Sequence, residues 1–402
     1  MSATEYQGSS VSLAFLGRPI LSFRRNQVSS MEGNPDQDDF ELFQKNVADR
    51  FLNLFTSSDG GGGAKDVDNL LSIAWLRKLL DVFLSCETEF KAVLFHGRDH
   101  SHLSKPPLDR LTPELLDRTV KALDICNIIT HGIDMLRHWQ RLAEIVLSAL
   151  KQSRLGEGQV RRAKKALHSL LSSMIVDDKD AASNKTTEHM WSFSRRCSTV
   201  SVAAATSKER STGQTPRLWS YSKNWSPAKQ IQAMSANLMV PRGADSTGMA
   251  MTVFIMSTVL VFVTLTLVAT IPCQDRILTQ FALPKQLSWA GPIIGLQERI
   301  AEEWKKKEKK KSAGLVDEMQ KLERCGQSLI ELMDSIQFPA EAEKLEEIGL
   351  QVSELAETCR KMEEGLIPLQ RQVREMYHRI LKSRTEILDA FEKNDKHSSL
   401  VL

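Results

Sequence analysis

Apolar residues recur every three or four positions along most of the chain, the spacing that gives a helix one buried face. In "DFELFQKNVADRFLNLF" that spacing joins Phe40, Phe43, Val47, Phe51 and Leu54. A second stripe within residues 67–96 carries Trp75, Leu76, Leu79, Leu80, Phe83, Phe90 and Leu94. Thr112 then predicts an N-cap and Pro113 a first helical residue. From there Leu116, Val120, Leu123, Ile129, Leu136, Trp139, Val146 and Leu150 continue one face until Gly156 and Gly158 end it. A shorter helix over 159–175 sets Arg161, Arg162, Lys164 and Lys165 opposite Leu167, Leu170 and Leu171. Late in the chain, steps of three and four join Leu345, Ile348, Val352, Leu355, Cys359, Met362, Leu366, Leu369, Val373, Met376 and Ile380. That is a heptad seam and a candidate grip for a partner helix. Gly365 and Pro368 fall inside it, and because an internal proline lacks a donor and clashes with the preceding turn, a kinked or hairpin helix pair is expected. No segment alternates with the period of two that strands need. The expected fold is all-α: an elongated helical bundle of long amphipathic helices with one strongly apolar helix.

That apolar helix is the most informative stretch. From Met249 to Ile271 there are 23 residues without a charge, twelve of them Leu, Ile, Val or Phe. At a rise of ~1.5 Å per residue the stretch spans ~34 Å, enough for a hydrocarbon layer ~30 Å thick. Its six hydroxyl residues, Thr252, Ser257, Thr258, Thr264, Thr266 and Thr270, scatter around the helix and leave no polar face. A helix apolar all round is either a single membrane span bounded by Met249 and Ile271 or the central helix of a bundle. A crossing would place residues 1–248 and 272–402 on opposite sides, where the two helical halves cannot share a core.

Composition divides the rest. Residues 1–35 form a basic arm, expected to be disordered, with Arg18, Arg24 and Arg25; an organelle (plastid) transit peptide is the alternative. Residues 36–176 form an N-terminal helical region, in which the "GGGG" of 60–63 reads as a linker because Lys65 is followed by Asp66 and not by the Ser or Thr of a phosphate loop. Within the linker assigned to 177–227, Ser or Thr fills sixteen of the 44 positions from Ser183 to Ser226, so the segment is expected to stay disordered. Ser198, at the end of "RRCS", is its candidate phosphosite. Residues 228–291 hold the apolar helix and a proline-punctuated connector, and 292–395 the C-terminal, coiled-coil-like region.

Charge and chemistry change this picture little. The net charge of +3 points to no nucleic acid, and the lysines of "WKKKEKKK" stand without the interleaved aromatics of a base-stacking surface. They suit a solvated helix face or attraction to anionic lipid. Six cysteines lie far apart with no CxxC pair, the usage of a reducing compartment. "HGRDHSH" gathers His96, Asp99, His100 and His102, but offers no second ligand group at metal spacing. His131, Asp134 and His138 share a helix face without a third, orienting group. No hydrolase, zincin or dinucleotide motif is present, so no catalytic residue, metal or cofactor is assigned.

Several blocks are distinctive. "SIAWLRKLLDVFL", "PPLDRL", "VKALDICN", "GIDMLRHWQRLAEI", "GEGQVRRAKKAL", "WSPAKQIQAMSANL", "VLVFVTLTLVATIPCQDR", "SWAGPI" and "RQVREMYHRI" resemble those of the plant BYPASS-related, Roh-like proteins over nearly the whole chain. The resemblance implies a non-enzymatic plant protein with one transmembrane helix. It also implies binding to exocyst subunits of the Exo-seventy type, and so a role in polarised secretion and cell-wall or mucilage deposition at a cytosol-facing membrane. The alternative it leaves is a soluble regulator of a root-to-shoot growth signal, switched by phosphorylation of the Ser/Thr-rich linker.

Overall fold

The computed structural model describes residues 35–57, 69–95, 100–151, 155–174, 225–241, 248–273, 281–308, 314–339 and 341–400. Among the described residues all long elements are α-helices and there is no strand: α1 (Pro35–Thr56), α2 (Ile73–Phe95), α3 (Leu108–Leu150), α4 (Glu157–Met174), α5 (Pro227–Ala236), α6 (Met249–Thr270), α7 (Gly291–Glu308), α8 (Asp317–Ser335) and α9 (Ala342–Leu400). A 3₁₀ turn at His100–Ser104 joins α2 to α3. The candidate phosphosite Ser198 and residues 1–34 of the basic arm lie outside the described residues.

The apolar helix α6 stands at the centre. Every residue from Ala250 to Thr270 is buried, walled by α1, α2, α3, α5 and α7. Phe51 of α1 meets Phe262 edge-on at 5.7 Å, and Trp289, just before α7, meets Phe254 at 5.9 Å. Five threonine hydroxyls turn back on α6 itself, Thr252, Thr258, Thr264, Thr266 and Thr270 each donating to the carbonyl one turn earlier at 3.1, 2.9, 2.7, 2.9 and 2.6 Å. Hydroxyls bonded this way bring little unsatisfied polarity into the core. The far end of α6 is gripped by close backbone approach. A Cβ on Gly132 of α3 would collide with the Pro272 carbonyl, and one on Gly314 would stand 2.5 Å from the Thr270 carbonyl oxygen. That oxygen accepts the Leu315 N–H at 3.0 Å.

Buried charges close the ends of other helices. Arg118 of α3 donates to the Met234 and Asn237 carbonyls (2.9 and 2.8 Å), at the last turn of α5. Glu318 of α8, 4% exposed, accepts the Ile73 N–H at the start of α2 (3.1 Å). Orphaned groups at helix termini are thus satisfied across the fold, not only locally.

The outer helix α9 lies on α2, α3 and α8, while α4 packs between α3 and α8. A single apolar core runs through all of these helices, so the N-terminal 36–176 and C-terminal 292–395 regions read from the sequence are halves of one bundle and not separate bodies. Two expected boundaries also move. The third helix begins at Leu108, ahead of the Thr112–Pro113 start read from the sequence, because Leu108 and Leu111 are buried and draw the first turn into the core. Nor does α9 break: it is continuous from Ala342 to Leu400 through Gly365 and Pro368. Gly365 is where α9 presses on α2, a Cβ there standing 2.6 Å from Ile73 Cγ2. The carbonyl that Pro368 leaves unpaired belongs to Glu364, an exposed residue, and packing on both flanks holds the helix through that missing bond.

Candidate interaction surface

Hydrogen bonds fix how α9 is mounted. On one flank it runs antiparallel to α3. Arg384 Nη1 donates to the Leu116 carbonyl at 2.6 Å and Gln370 Nε2 to Asp134 Oδ1 at 3.2 Å. On the other flank it runs parallel to α2. Gln372 Nε2 donates to Asp81 at 2.6 Å, Arg379 Nη1 to Thr88 Oγ1 at 2.9 Å, Ser383 to the buried carboxylate of Glu87, and Lys91 pairs with Glu386.

This mounting corrects the seam assigned to a partner. Ile348, Val352, Leu355, Met362, Leu369, Val373, Met376 and Ile380 are buried in the molecule's own core, as are Cys359 and Leu366, and only Leu345 (39%) is exposed. The heptad pattern is real, but the helices that fill it are α2, α3 and α8 of the same chain.

Outward on α9, besides Leu345 and Leu350 (66%), is a second line of residues. Ile367, Leu381 and Leu388 are 57%, 42% and 39% exposed and, with Arg374, fall at seven-residue intervals on α9. On α3, Val120 is 41% exposed, one turn beyond Leu116, whose carbonyl accepts the bond from Arg384. Between the two helices lies a hollow of about 370 Å³ lined by Cys126, Asn127, Thr130, Arg374, Tyr377 and His378, with Val373 at its inner edge. Among the described residues no carboxylate lines it. Arg374 and His378 are exposed, and Arg374 forms no ion pair or hydrogen bond among the described residues. A larger hollow of about 500 Å³, at Lys91, Phe95, Glu386, Asp389 and Lys393, carries matched charges and is internally neutralised. The outer stripe was readable as apolar residues beside the main seam, but a single amphipathic pattern draws attention to only one face of a helix.

Other candidate residues stand apart from this surface or on its margin. Met249 and Ile271 bracket α6, the first as its opening residue and the second as its C-cap. His96 and Asp99 lie outside the described residues, and His102 is half-buried in the 3₁₀ turn. Among the described residues no group of three possible metal ligands comes together. His131, Asp134 and His138 are exposed on α3, and Asp134 meets Arg137 at 3.4 Å as well as Gln370. Of the basic run, Lys305 and Lys306 are exposed, the latter paired with Glu303 at 2.7 Å. Burial pushes the thiols of Cys86, Cys126 and Cys359 up to about 12, so they remain protonated at neutral pH and behave as packing groups.

The family profile described as Protein ROH1-like matches residues 1–391. The chain is 48% identical to Protein ROH1A of Arabidopsis thaliana, across 100% of its own length and 99% of the relative. To Protein ROH1D of the same plant it is 40% identical, across 98% of the chain and 99% of that relative. No solved structure matches it.

Proposed function

The chain belongs to the ROH1-like family, and on that premise we propose that it is a non-enzymatic helical interaction protein. It would act with an exocyst subunit of the Exo-seventy type in polarised secretion and in cell-wall or mucilage deposition. The observation that carries this reading is α9, a continuous helix of 59 residues. At ~1.5 Å per residue it is ~88 Å long, buried along one face and outward along another. Long rigid helices with residual apolar surface suit docking against the helices of another protein.

The same proposal places the protein on the cytosolic side as a peripheral bundle. One helix, α6, is long and apolar enough to cross a membrane. What supports the core reading is that α2 and α3 precede α6, α7 follows it, and all three pack against it. Helices from both sides of a span could not do so.

Co-precipitation with the recombinant subunit, using the full chain, tests the partner. Retention of the subunit is expected, and failure at micromolar concentrations of both proteins would remove the main content of the proposal. Deleting 345–393 is a poor negative control, because it strips two flanks of the core.

A further inference from the structure

We infer that α4 docks the bundle on a membrane, its outward basic face lying against a leaflet that carries anionic lipid. The inference rests on the peripheral-bundle reading above and names the side of the bundle that meets the membrane. Among the described helices longer than ten residues, α4 alone has more basic than acidic residues: Arg161, Arg162, Lys164 and Lys165 against Glu157. The lysine run of α7 differs, because the four basic residues of that helix are matched by four acidic ones. Packing turns the charge of α4 outward. Val160, Ala163, Leu167, Leu170 and Met174 are buried, on the side where α4 meets α3 and α8. Arg161, Arg162, Lys165, His168, Ser169 and Ser172 are exposed, in steps of three and four that make one face.

Part of this charge is answered within the molecule. Lys164 reaches Asp334 of α8 at 2.7 Å, and Arg161 meets Glu157 at 2.8 Å. The second pair is 80% and 74% exposed, and a pair so open to water holds little. Arg162 and Lys165 form no ion pair or side-chain hydrogen bond among the described residues. At ~1.5 Å per residue, Arg161 to His168 covers ~10 Å of helix, close to the screening length in physiological salt, so the charges act as one patch. The composition of the face selects what covers it. No aliphatic, phenyl or indole side chain is exposed on α4. A protein partner draws most of its affinity from anchors of that kind, and an unstacked base needs a ring to lie on. A layer of anionic headgroups needs neither, because each basic residue near the surface adds its own attraction.

Cosedimentation of the full chain with vesicles, in the absence of any exocyst subunit, tests this. One set is pure phosphatidylcholine and the other adds phosphatidylserine, in about a two-to-one ratio. The wild type is expected to favour the anionic vesicles about tenfold or more, and to leave them in about 1 M salt. The double variant Arg162→Glu/Lys165→Glu should lose that preference. Arg371→Glu/Arg374→Glu, which changes net charge equally but on α9, should weaken binding about twofold at most. All four positions are exposed, so circular dichroism and urea midpoints should stay at wild-type values, which separates lost docking from lost folding. Equal losses in the two double variants would reduce the effect to net charge and overturn the proposal. So would wild-type binding in the α4 variant, or a wild type indifferent to phosphatidylserine. Binding to a DNA duplex as tight as to the anionic vesicles, and lost in the same variant, would make the face a nucleic-acid site instead. Each of these results leaves the exocyst reading and the peripheral bundle standing. Vesicle binding that survives high salt would overturn both this proposal and the peripheral bundle, since it would point to insertion of α6.

Discussion

At the scale of single residues, Glu318 shows how burial and capping compete. Burial pushes its carboxyl above the ordinary value of 4.5, while the N–H groups it meets, Ile73 among them, pull it part of the way back. A carboxyl whose pKa is higher in the folded state binds its proton more tightly there than in the unfolded chain. Its contribution to stability is therefore greatest below 4.5 and falls as pH rises through the folded value. Glu318→Gln retains an acceptor for Ile73 and removes the buried charge. Urea midpoints should show the variant at least as stable as the wild type at pH 7, with the advantage shrinking towards pH 4. A larger deficit at pH 7 than at pH 4 would mean that the fold favours the ionised form. This cap was invisible beforehand, because it joins residues 245 positions apart and only the packing of α8 on the start of α2 brings them together.

At the scale of elements, α6 is held by shape and not by side-chain polarity. Its threonine hydroxyls spend their bonds on its own carbonyls, so losing one removes no link to another helix. Thr264→Val should cost about 1 kcal/mol or less, whereas Phe262→Ala empties the contact with Phe51 and should cost about 3–5 kcal/mol in chemical denaturation. Comparable losses in the two variants would count against this account. The type and extent of α6 were legible from its composition, as were the stripes on α1 and α2 and most of that on α3, because periodicity reports one buried face directly; Val120, read into the α3 stripe, is instead exposed. What covers each stripe was not legible. The heptad of α9 looked like a free seam because spacing says that a face is buried, not whose helix buries it. Pro368 looked like a break because local rules omit α2 and α3 bracing the helix from either side.

For the whole molecule the decisive relation is that α3 and α9, on opposite sides of α6 in the chain, are hydrogen-bonded to each other. A protein built this way should leave the membrane pellet under alkaline carbonate and stay soluble without detergent. Retention in the pellet would mean that α6 is inserted and that the shared core does not form in the cell. The order of the walls carries a consequence for biogenesis. Four of the five helices that enclose α6 (α1, α2, α3 and α5) precede it in the chain. On the ribosome, where N-terminal segments fold first, the oily rod would therefore emerge towards a half-built sheath. Its competitor is any factor that recognises nascent hydrophobic segments. Vectorial synthesis thus gives burial of α6 within its own bundle a head start that a circular permutant beginning at residue 248 would forfeit.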